Sequence, residues 1–249
     1  MTDKFKKLPL YYQNMVNWEK RLLKEGPFIK KILRDAGVRR VLDCGCGNGR
    51  HVIYLRREGF EADGADTSPW QLDLARQEAE KTGVIPQFFL EDMTCLDGIE
   101  PGKYQGIINI GNSMASLGPD KARMVLENFF RLLPPGGLAM VHVLNFHSFG
   151  RQDRTEIRRA RVEGREMVFL KTFHFRNELA VVVVNLLEKT DDGEWDVTLN
   201  TADMHYLDME FFRDASIGAG FDRVEFYGGL DGSVFDLQES RDLVAVFFK

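Results

Sequence analysis

Three glycines, two cysteines and an aspartate lie close together in the stretch VLDCGCGNGRH, residues 41–51. Asp43 ends an apolar run, and Gly45, Gly47 and Gly49 follow it at alternate positions. Because glycine has no Cβ, such a run lets the backbone turn sharply and lie against a ligand. The stretch could therefore hold a phosphate, a metal or redox centre built on the cysteines, or another small molecule.

The cysteines provide too few ligands for a zinc site. Cys44 and Cys46 are spaced C-x-C with only His51 nearby, whereas a structural zinc ion takes four ligands. Cys95 is the third and last cysteine, and an odd number without an export signal is typical of a reducing cytoplasm. We therefore expect no metal, and we expect Cys44 and Cys46 to fill the turn by packing.

The acid that precedes the glycines argues against a phosphate ligand. A dinucleotide-binding loop has the spacing G-x-G-x-x-G and directs a helix N-terminus at a pyrophosphate. Here the third glycine comes one residue early, and the Asp43 carboxylate would repel a pyrophosphate. A second acid, Asp66, ends the next predicted strand, where an acid can accept hydrogen bonds from ribose hydroxyls. The pattern favours a nucleoside with an amino-acid tail over a dinucleotide.

The elements that must position these residues alternate between helices and strands. Helical spacing occurs in NWEKRLLKEG and again in PFIKKILRDAG, where Pro27 suits the first turn of a second helix. Further helices are predicted in RHVIYLRREG, in SPWQLDLARQEAEKTG, which Ser68 caps and Gly83 closes, and in PDKARMVLENFFRLL. Strands are predicted in RRVLDCG, FEADGAD, PQFFLED, YQGIINIGN and LAMVHVLN. This alternation predicts a doubly wound, mostly parallel α/β sheet, which binds ligands beyond the carboxyl ends of its strands.

The pattern changes at Arg151 to alternating apolar and polar residues separated by turn signals, which predicts an antiparallel meander of three or four strands. A helix in DMEFFRDASIGAG, capped by Asp208, and two further strands then resume the α/β pattern. The sequence therefore predicts a seven-stranded α/β domain with an antiparallel β insertion after strand five. We assign residues 1–149 and 205–249 to the α/β domain and residues 150–204 to the insertion.

The composition favours a small-molecule partner. The chain has 249 residues and a net charge of −5, whereas nucleic-acid-binding proteins cluster Lys and Arg against phosphates. The arginines of RQDRTEIRRARVEGRE are interleaved with acids, which is typical of a solvated strand face. No apolar run approaches the roughly 20 residues that span a membrane, and MTDKFKKLPLYY lacks the apolar core of a secretory signal. We expect a cytoplasmic protein with neither nucleic acid nor membrane as a partner.

VLDCGCGNGRH resembles motif I of the class I S-adenosylmethionine (SAM)-dependent methyltransferases. Other segments resemble the family's later landmarks in order: GFEADGADTSPWQLDLAR, FFLEDMTCL, GIINIGNSMASL and FFRLLPPGGLAMVHV. The resemblance covers about residues 30–147 and 205–249. It implies a Rossmann-like methyltransferase that uses SAM and releases S-adenosylhomocysteine. It also implies in-line methyl transfer to an amine or hydroxyl of a small-molecule acceptor.

The resemblance implies which residues bind SAM. Gly45 and Gly47 would let the backbone meet the methionine tail, and Asp43 would orient its amino group. Asp66 would accept hydrogen bonds from the ribose hydroxyls, and Asp92 would hold the adenine. The other residues implied by position are Cys46, between the two glycines, and Thr67, Ser68, Met93, Ile110 and Gly111.

The N-terminal stretch YYQNMVNWEKRL resembles the lid of glycine and sarcosine N-methyltransferases, which covers SAM and contacts its carboxylate. With a more compact spacing, that lid maps to Tyr12, Trp18 and Arg21. The alternative is an amphipathic helix that buries Trp18 in the core and leaves Arg21 in solvent. The sequence leaves both interpretations open.

The insertion resembles that of small bacterial and archaeal SAM methyltransferases, in which it closes over the substrate mouth as a lid. The polar residues expected to point there are Asn112, Ser113, Asn145, His147, His205 and Tyr206. His147 or Tyr206 would assist proton removal if the acceptor arrives protonated. Each also has an ordinary explanation, such as a turn cap for Asn112 or packing under the insertion for Tyr206.

Two other functions compete with methyl transfer. A SAM-binding sensor or partner subunit would keep the same cofactor residues without turnover, and the sequence leaves this alternative open. An NAD-dependent dehydrogenase is disfavoured by the glycine spacing and by Asp43. The sequence specifies neither the methyl acceptor nor the oligomeric state.

Overall fold

The computed structural model describes residues 16–150, 152–162 and 164–249. Its helices are α1 (Trp18–Asp35), α2 (Arg50–Arg57), α3 (Pro69–Thr82), α4 (Pro119–Leu132) and α5 (Met209–Ala219). Its strands are β1 (Arg40–Cys44), β2 (Glu61–Asp66), β3 (Phe88–Leu90), β4 (Gly106–Asn109), β5 (Leu138–Leu144), β6 (Arg154–Val162), β7 (Arg165–Arg176), β8 (Leu179–Lys189), β9 (Trp195–His205), β10 (Arg223–Tyr227) and β11 (Asp242–Phe248). Short 3-10 helices, Met114–Ser116 and Phe146–Phe149, follow β4 and β5. None of the helices in these ranges has the length and apolar character that crossing a bilayer requires.

Seven strands form one sheet in the order β10-β11-β5-β4-β1-β2-β3, in which β11 alone runs against its neighbours. Side chains alternate between two buried layers: Val41 of β1 packs beside α1, α2 and α3, and Leu42 packs beside α4 and α5. The strand order reverses at β1, which lies between β4 and β2. Such a reversal opens a crevice at the carboxyl ends of the strands. The predicted doubly wound fold is confirmed, and VLDCGCGNGRH begins in its central strand.

The prediction of two N-terminal helices was wrong. A single helix, α1, runs from Trp18 to Asp35 with Pro27 in its interior. Pro27 removes one helical hydrogen bond, at a cost of about 3 kcal/mol. It is exposed, however, and its neighbours Gly26 and Phe28 are buried against the α/β domain. Burial of this helix face, which local propensity does not register, keeps the helix continuous.

The predicted insertion is a four-stranded antiparallel sheet in the order β6-β7-β8-β9. Its inner face carries Phe173 and Val182, which pack with Phe146 of the 3-10 helix after β5. That helix therefore joins the second sheet to the α/β domain. The arginines of β6 are exposed, as expected for a solvated strand face.

The cap of α5 also forms as predicted, because the Asp208 carboxylate accepts the backbone N–H of Phe211 at 2.9 Å.

Candidate cofactor cleft and acceptor cavity

The loop after β1 has a backbone that only glycine adopts easily. Gly45, Gly47 and Gly49 have φ angles of 76°, 53° and 72°, in the left-handed region. A Cβ added to Gly45 would lie 3.1 Å from the Met93 methyl carbon and 3.2 Å from the Asn109 amide nitrogen. The glycines thus serve both the tight turn and the close approach of neighbouring side chains.

Two anchors hold this loop against β2. The backbone N–H groups of Gly45 and Cys46 both donate to the carbonyl oxygen of Ala65, at 2.7 and 3.0 Å. The backbone N–H of Gly47 donates to Oδ2 of Asp66 at 2.8 Å. The other oxygen of Asp66 accepts the N–H of Ser68 at 2.8 Å. Each carboxylate oxygen keeps a further lone pair, so Asp66 is held rigidly and can still accept a hydroxyl.

Asp43, at the end of β1, is a buried acid that lacks a full set of partners. Its side chain is 1% exposed, and its Oδ1 has no hydrogen-bond donor among the described residues. Burial and the nearby charge of Asp66 raise the pKa of Asp43 to about 8, while the charge of Arg21 acts in the opposite direction. A ligand ammonium group would satisfy this carboxylate. The observation therefore fits a nucleoside with an amino-acid tail, such as SAM.

Helix α1 contributes a charged network to the same region. The Arg21 Nε donates to both oxygens of Glu25, at 2.8 and 3.0 Å. The Glu25 Oε2 also lies 3.1 Å from Nε2 of His51. The Arg21 guanidinium sits 4.9 Å from the centre of the Trp18 ring, which meets the His51 ring edge-on. These contacts fix Arg21 and Trp18 over the cleft instead of in the core or in solvent.

Burial alone would raise the pKa of Glu25. The hydrogen bond from His51 and the positive charge of Arg21 outweigh it and hold the pKa below its usual value. Burial lowers the pKa of His51, and its hydrogen bond to Glu25 opposes this shift only in part. The network therefore consists of a charged carboxylate, a charged guanidinium and a neutral imidazole around neutral pH.

Two cavities meet at the carboxyl end of β4. The first, which we call the cofactor cleft, is bordered by Trp18, Asp43 and the loop after β1. The second, which we call the acceptor cavity, measures about 430 Å³ and lies beneath β7, β8 and β9 of the insertion. Arg21 and Gly111 line both. A molecule in one cavity can therefore reach a molecule in the other at this junction.

The junction is held by a histidine in β5 that sequence analysis missed. The backbone N–H of Gly111 donates to Nδ1 of His142 at 3.1 Å, and Nε2 of His142 lies 3.2 Å from the Asp242 carboxylate. Asn112 follows with an unusual left-handed φ of 71°, and its Oδ1 accepts the N–H of Leu144 at 2.8 Å. Both ring nitrogens of His142 are thus engaged, and the residue positions the backbone. A lone histidine in the apolar run LAMVHVLN was the available signal.

A family model described as a methyltransferase domain matches residues 41–137. These residues belong to a class I, SAM-dependent methyltransferase domain. The glycine/sarcosine/dimethylglycine N-methyltransferase of Actinopolyspora halophila is 33% identical over 139 residues, 55% of this chain and 25% of that protein. The glycine/sarcosine N-methyltransferase of Halorhodospira halochloris is 31% identical over 136 residues, 54% of this chain and 51% of that protein. The chain thus spans between a quarter and about half of these relatives.

Solved methyltransferase structures share the fold over nearly the whole chain. A SAM-dependent methyltransferase from Clostridium acetobutylicum superposes with a TM-score of 0.79 at 12% identity, over 98% of this chain and 95% of that one. The sugar N-methyltransferase KedS8 from a Streptoalloteichus species also has a TM-score of 0.79, at 20% identity, over 95% and 91%. The similarity therefore extends through the insertion as well as the methyltransferase domain.

The structure brings most of the predicted cofactor residues of this methyltransferase domain together. The predicted residues that line the cofactor cleft are Trp18, Arg21, Asp43, Gly45, Cys46, Gly47, Ile110 and Gly111, and they are joined there by Asn48, His51 and Gln71, which were not predicted to bind the cofactor. Met93 lies against Gly45, and Asp66 with Ser68 borders the same loop. Thr67 and Asp92 are exposed, and the Asp92 Oδ1 accepts the N–H and the hydroxyl of Thr94, both at 2.8 Å. Tyr12 lies outside the described residues.

The predicted substrate residues are scattered. Asn112 lines the acceptor cavity. Asn145 is buried and donates to the carbonyl oxygens of Leu237 and Ser240 at 2.8 and 2.7 Å, which holds the loop before β11. Ser113 lies beside Gly45, and His205 lies beside Gly118. Asn112 is thus the predicted residue best placed to touch an acceptor.

The two candidates for proton removal lie outside both cavities. The His147 Nε2 is 3.5 Å from the Asp208 carboxylate, at the cap of α5. The Tyr206 ring stacks on Phe146 at 5.3 Å between ring centres, as part of the packing under the insertion. Neither residue is among those that line the cofactor cleft or the acceptor cavity. A role for either in proton removal stays a prediction without geometric support.

The cysteines of the loop behave as small packing residues. Cys44 and Cys46 are buried and unbridged, and burial raises the pKa of both thiols well above the usual value. Cys46 Sγ would lie 2.7 Å from a Cβ added to Gly64 in β2. Among the described residues, no group of three or more His, Cys, Asp or Glu is arranged to hold a metal.

Proposed function

We propose that this protein transfers the methyl group of SAM to an amine of a small-molecule acceptor. The observation that carries the proposal is the meeting of the cofactor cleft and the acceptor cavity at Arg21 and Gly111. When bound, SAM supplies an electrophilic methyl group on a sulfonium. A nucleophile that reaches this junction from the acceptor cavity would approach from the side opposite the cofactor cleft.

On the cofactor side, the chain offers a partner for each part of the ligand. Asp43 would pair with the ammonium group, and the Arg21 guanidinium would approach the carboxylate. Asp66 would accept hydrogen bonds from the ribose hydroxyls. Asp92 and Met93 would flank the adenine, as the resemblance implies.

The protein's part in the reaction is mainly to orient the two reactants. Holding two reactants in line lowers the entropic barrier of a bimolecular step and requires no protein nucleophile. An amine that arrives uncharged needs no general base. The His142–Gly111 hydrogen bond keeps the junction in one conformation. We assign residues 1–149 and 205–249 to cofactor binding and residues 150–204 to a lid over the acceptor.

Relatives support an amine as the acceptor. The curated relatives named above are N-methyltransferases of glycine and sarcosine, and the structural neighbour KedS8 is a sugar N-methyltransferase. Their substrates share a small size and an amine.

The unbridged thiols of Cys44 and Cys46 support a reducing cytoplasm as the place of action.

Calorimetric titration with SAM, S-adenosylhomocysteine and NAD, followed by a labelled-SAM assay over pooled amines, phenols and carboxylates, tests the proposal. We expect binding of SAM and its product, no binding of NAD, and label transfer to the amine pool. SAM binding without transfer to any pool would favour a sensor or partner subunit. Transfer to phenols alone would contradict N-methylation.

A further inference from the structure

Lys171 is a lysine in the apolar roof of the acceptor cavity. It lies in the middle of β7, and the residues two positions away on the same face, Phe169 and Phe173, are 5% and 2% exposed. Its side chain lines the cavity, and its Nζ lies 4.8 Å from the centre of the Phe173 ring. Among the described residues, none places a hydrogen-bond acceptor or a carboxylate against this Nζ. An ammonium group is thus directed at the cavity with an aromatic ring beside it but no hydrogen-bond acceptor or ion-pair partner among the described residues.

The acid nearest to Lys171 is already engaged by arginines. Glu156 of β6 faces Lys171 in the strand register. Its Oε1 lies 3.4 Å from the Arg154 guanidinium and 3.7 Å from that of Arg241. Burial lowers the pKa of Lys171, the Arg158 charge adds to this effect, and the Glu156 charge opposes it. An anion placed beside Lys171 would therefore stabilise its charged form.

The charges around the rest of the cavity also favour an anion. Arg21 also lines this cavity, and its guanidinium is paired with Glu25. The other polar side chains that line the cavity belong to His142, Asn112, Asn200 and Thr201. No Asp or Glu is among the described residues that line this cavity. A ligand bound here meets two basic side chains, Arg21 and Lys171, and apolar walls.

We propose that Lys171 binds a carboxylate of the methyl acceptor and so directs the acceptor amine toward the junction at Gly111. This inference rests on the proposed function and names its substrate class: small amines that carry a carboxylate. The ammonium would form a charge-assisted hydrogen bond with the carboxylate in a site where water competes poorly. SAM also has a carboxylate, but Arg21 lines the cofactor cleft and Lys171 does not.

The first test compares matched acceptors, each amino acid against its methylamide, in the wild type and in Lys171→Met. Methionine keeps the length of the side chain and removes the charge. We expect KM for the amino acids to rise about tenfold or more, the effect of losing a hydrogen bond to a charged group, with little change in kcat. KM for the methylamides and the Kd for SAM should stay within about twofold. Lys171→Arg, which keeps the charge, should recover part of the loss.

Lys189→Met is the matched control, because Lys189 is exposed on β8, at the far end of the same sheet, and lines neither cavity. It should behave as the wild type with both kinds of acceptor. The inference is overturned if Lys171→Met affects amino acids and methylamides equally, or affects neither. It is also overturned if the wild type prefers methylamides. A rise in the Kd for SAM would instead assign Lys171 to the cofactor carboxylate.

A second test needs no catalysis. Propionate, propionamide and methylphosphonate are titrated into protein saturated with S-adenosylhomocysteine. We expect propionate to bind the wild type at least about tenfold more tightly than propionamide, and Lys171→Met to lose this difference. Equal binding of propionate and propionamide overturns the inference. Tighter binding of methylphosphonate than of propionate also overturns it, because the site would then recognise a larger anion and not a carboxylate. Failure of the proposed function has a different signature, namely no SAM binding or no methyl transfer with any acceptor.

Discussion

The carboxylate of Asp66 accepts the backbone N–H of Gly47 at 2.8 Å, which ties the end of β2 to the glycine loop after β1. The acid expected to bind the ribose therefore also holds the loop expected to meet the methionine tail. One side chain thus couples two parts of the cofactor cleft. Substitution of Asp66 is expected to affect both the stability of the loop and the affinity for SAM.

Asp66→Asn replaces one acceptor oxygen by an NH₂ group that cannot accept the N–H of Gly47 or Ser68. We expect the free energy of unfolding to fall by about 1–3 kcal/mol and the Kd for SAM to rise about tenfold or more. Urea unfolding and calorimetric titration measure the two effects. Asp73→Asn is the control, because Asp73 is exposed on α3 and pairs with Arg76. Unchanged SAM affinity in Asp66→Asn would show that this acid does not contact the cofactor.

Asp43 should make the stability of the ligand-free protein depend on pH. Its pKa rises from an ordinary value of 3.8 to about 8 in the folded protein, so the folded state holds the proton more tightly than the unfolded state. The contribution of this group to the free energy of unfolding is therefore greatest below about pH 4 and is lost as the pH rises toward about 8. Asp43→Asn cannot ionise and should be the more stable protein near pH 8. Urea unfolding across this range measures the difference in free energy of unfolding between the two proteins. If Asp43 were buried but did not titrate, this difference would not change with pH.

A rise in pH, which lowers the stability of the ligand-free protein through Asp43, should strengthen its binding of SAM. A ligand ammonium pairs with the ionised carboxylate, so Asp43 must release its proton when SAM binds. We expect the Kd for SAM to fall as the pH rises toward about 8, and proton release to be visible by calorimetry in buffers of different ionisation enthalpy. Asp43→Asn should bind SAM about tenfold or more weakly despite its greater stability. Binding by this variant with unchanged affinity would contradict the assigned role.

Gly45 and Gly83 separate backbone strain from crowding in the cofactor cleft. Both have left-handed backbones, with φ of 76° and 71°, so an alanine at either position costs about 1–2 kcal/mol of stability. A Cβ at Gly45 would also press on Met93 and Asn109, whereas nothing lies within 4 Å of a Cβ at Gly83. Gly45→Ala should therefore lose SAM affinity as well as stability, while Gly83→Ala should lose stability alone. Thermal unfolding and calorimetry distinguish these outcomes, and equal SAM affinity in both variants would place Gly45 outside the cleft.

Much of the fold was predictable because its signals are local. Ser68 caps α3 by accepting the N–H of Gln71 at 3.3 Å, and Gly83 closes the helix with a left-handed backbone. The alternation of strands and helices restricts the sheet order to few topologies. Pro27 is the counterexample, because the penalty of a proline is local and the burial of Gly26 and Phe28 that outweighs it depends on the whole domain.

The two sides of the candidate site differed in how well the sequence predicted them. The cofactor side depends on short patterns at the ends of neighbouring strands, so Asp43, Gly45 and Gly47 were predicted together from their order alone, and they line one cleft. The acceptor side depends on residues from distant strands that meet in space. His142 and Lys171 each stand alone in an apolar run, and nothing near them in the chain indicates a shared cavity.

Periodicity, capping residues and glycine spacing were enough to specify the doubly wound sheet, the inserted antiparallel sheet and a cleft suited to a nucleoside with an amino-acid tail. These features depend on neighbours within a few residues, whose side-chain types restrict the backbone directly. The meeting of Arg21 from α1 with Gly111 from the segment after β4, and the direction of Lys171 into the cavity beneath the insertion, came from the packing of the folded chain. Burial and strand register set those contacts, and both depend on elements far apart in the chain.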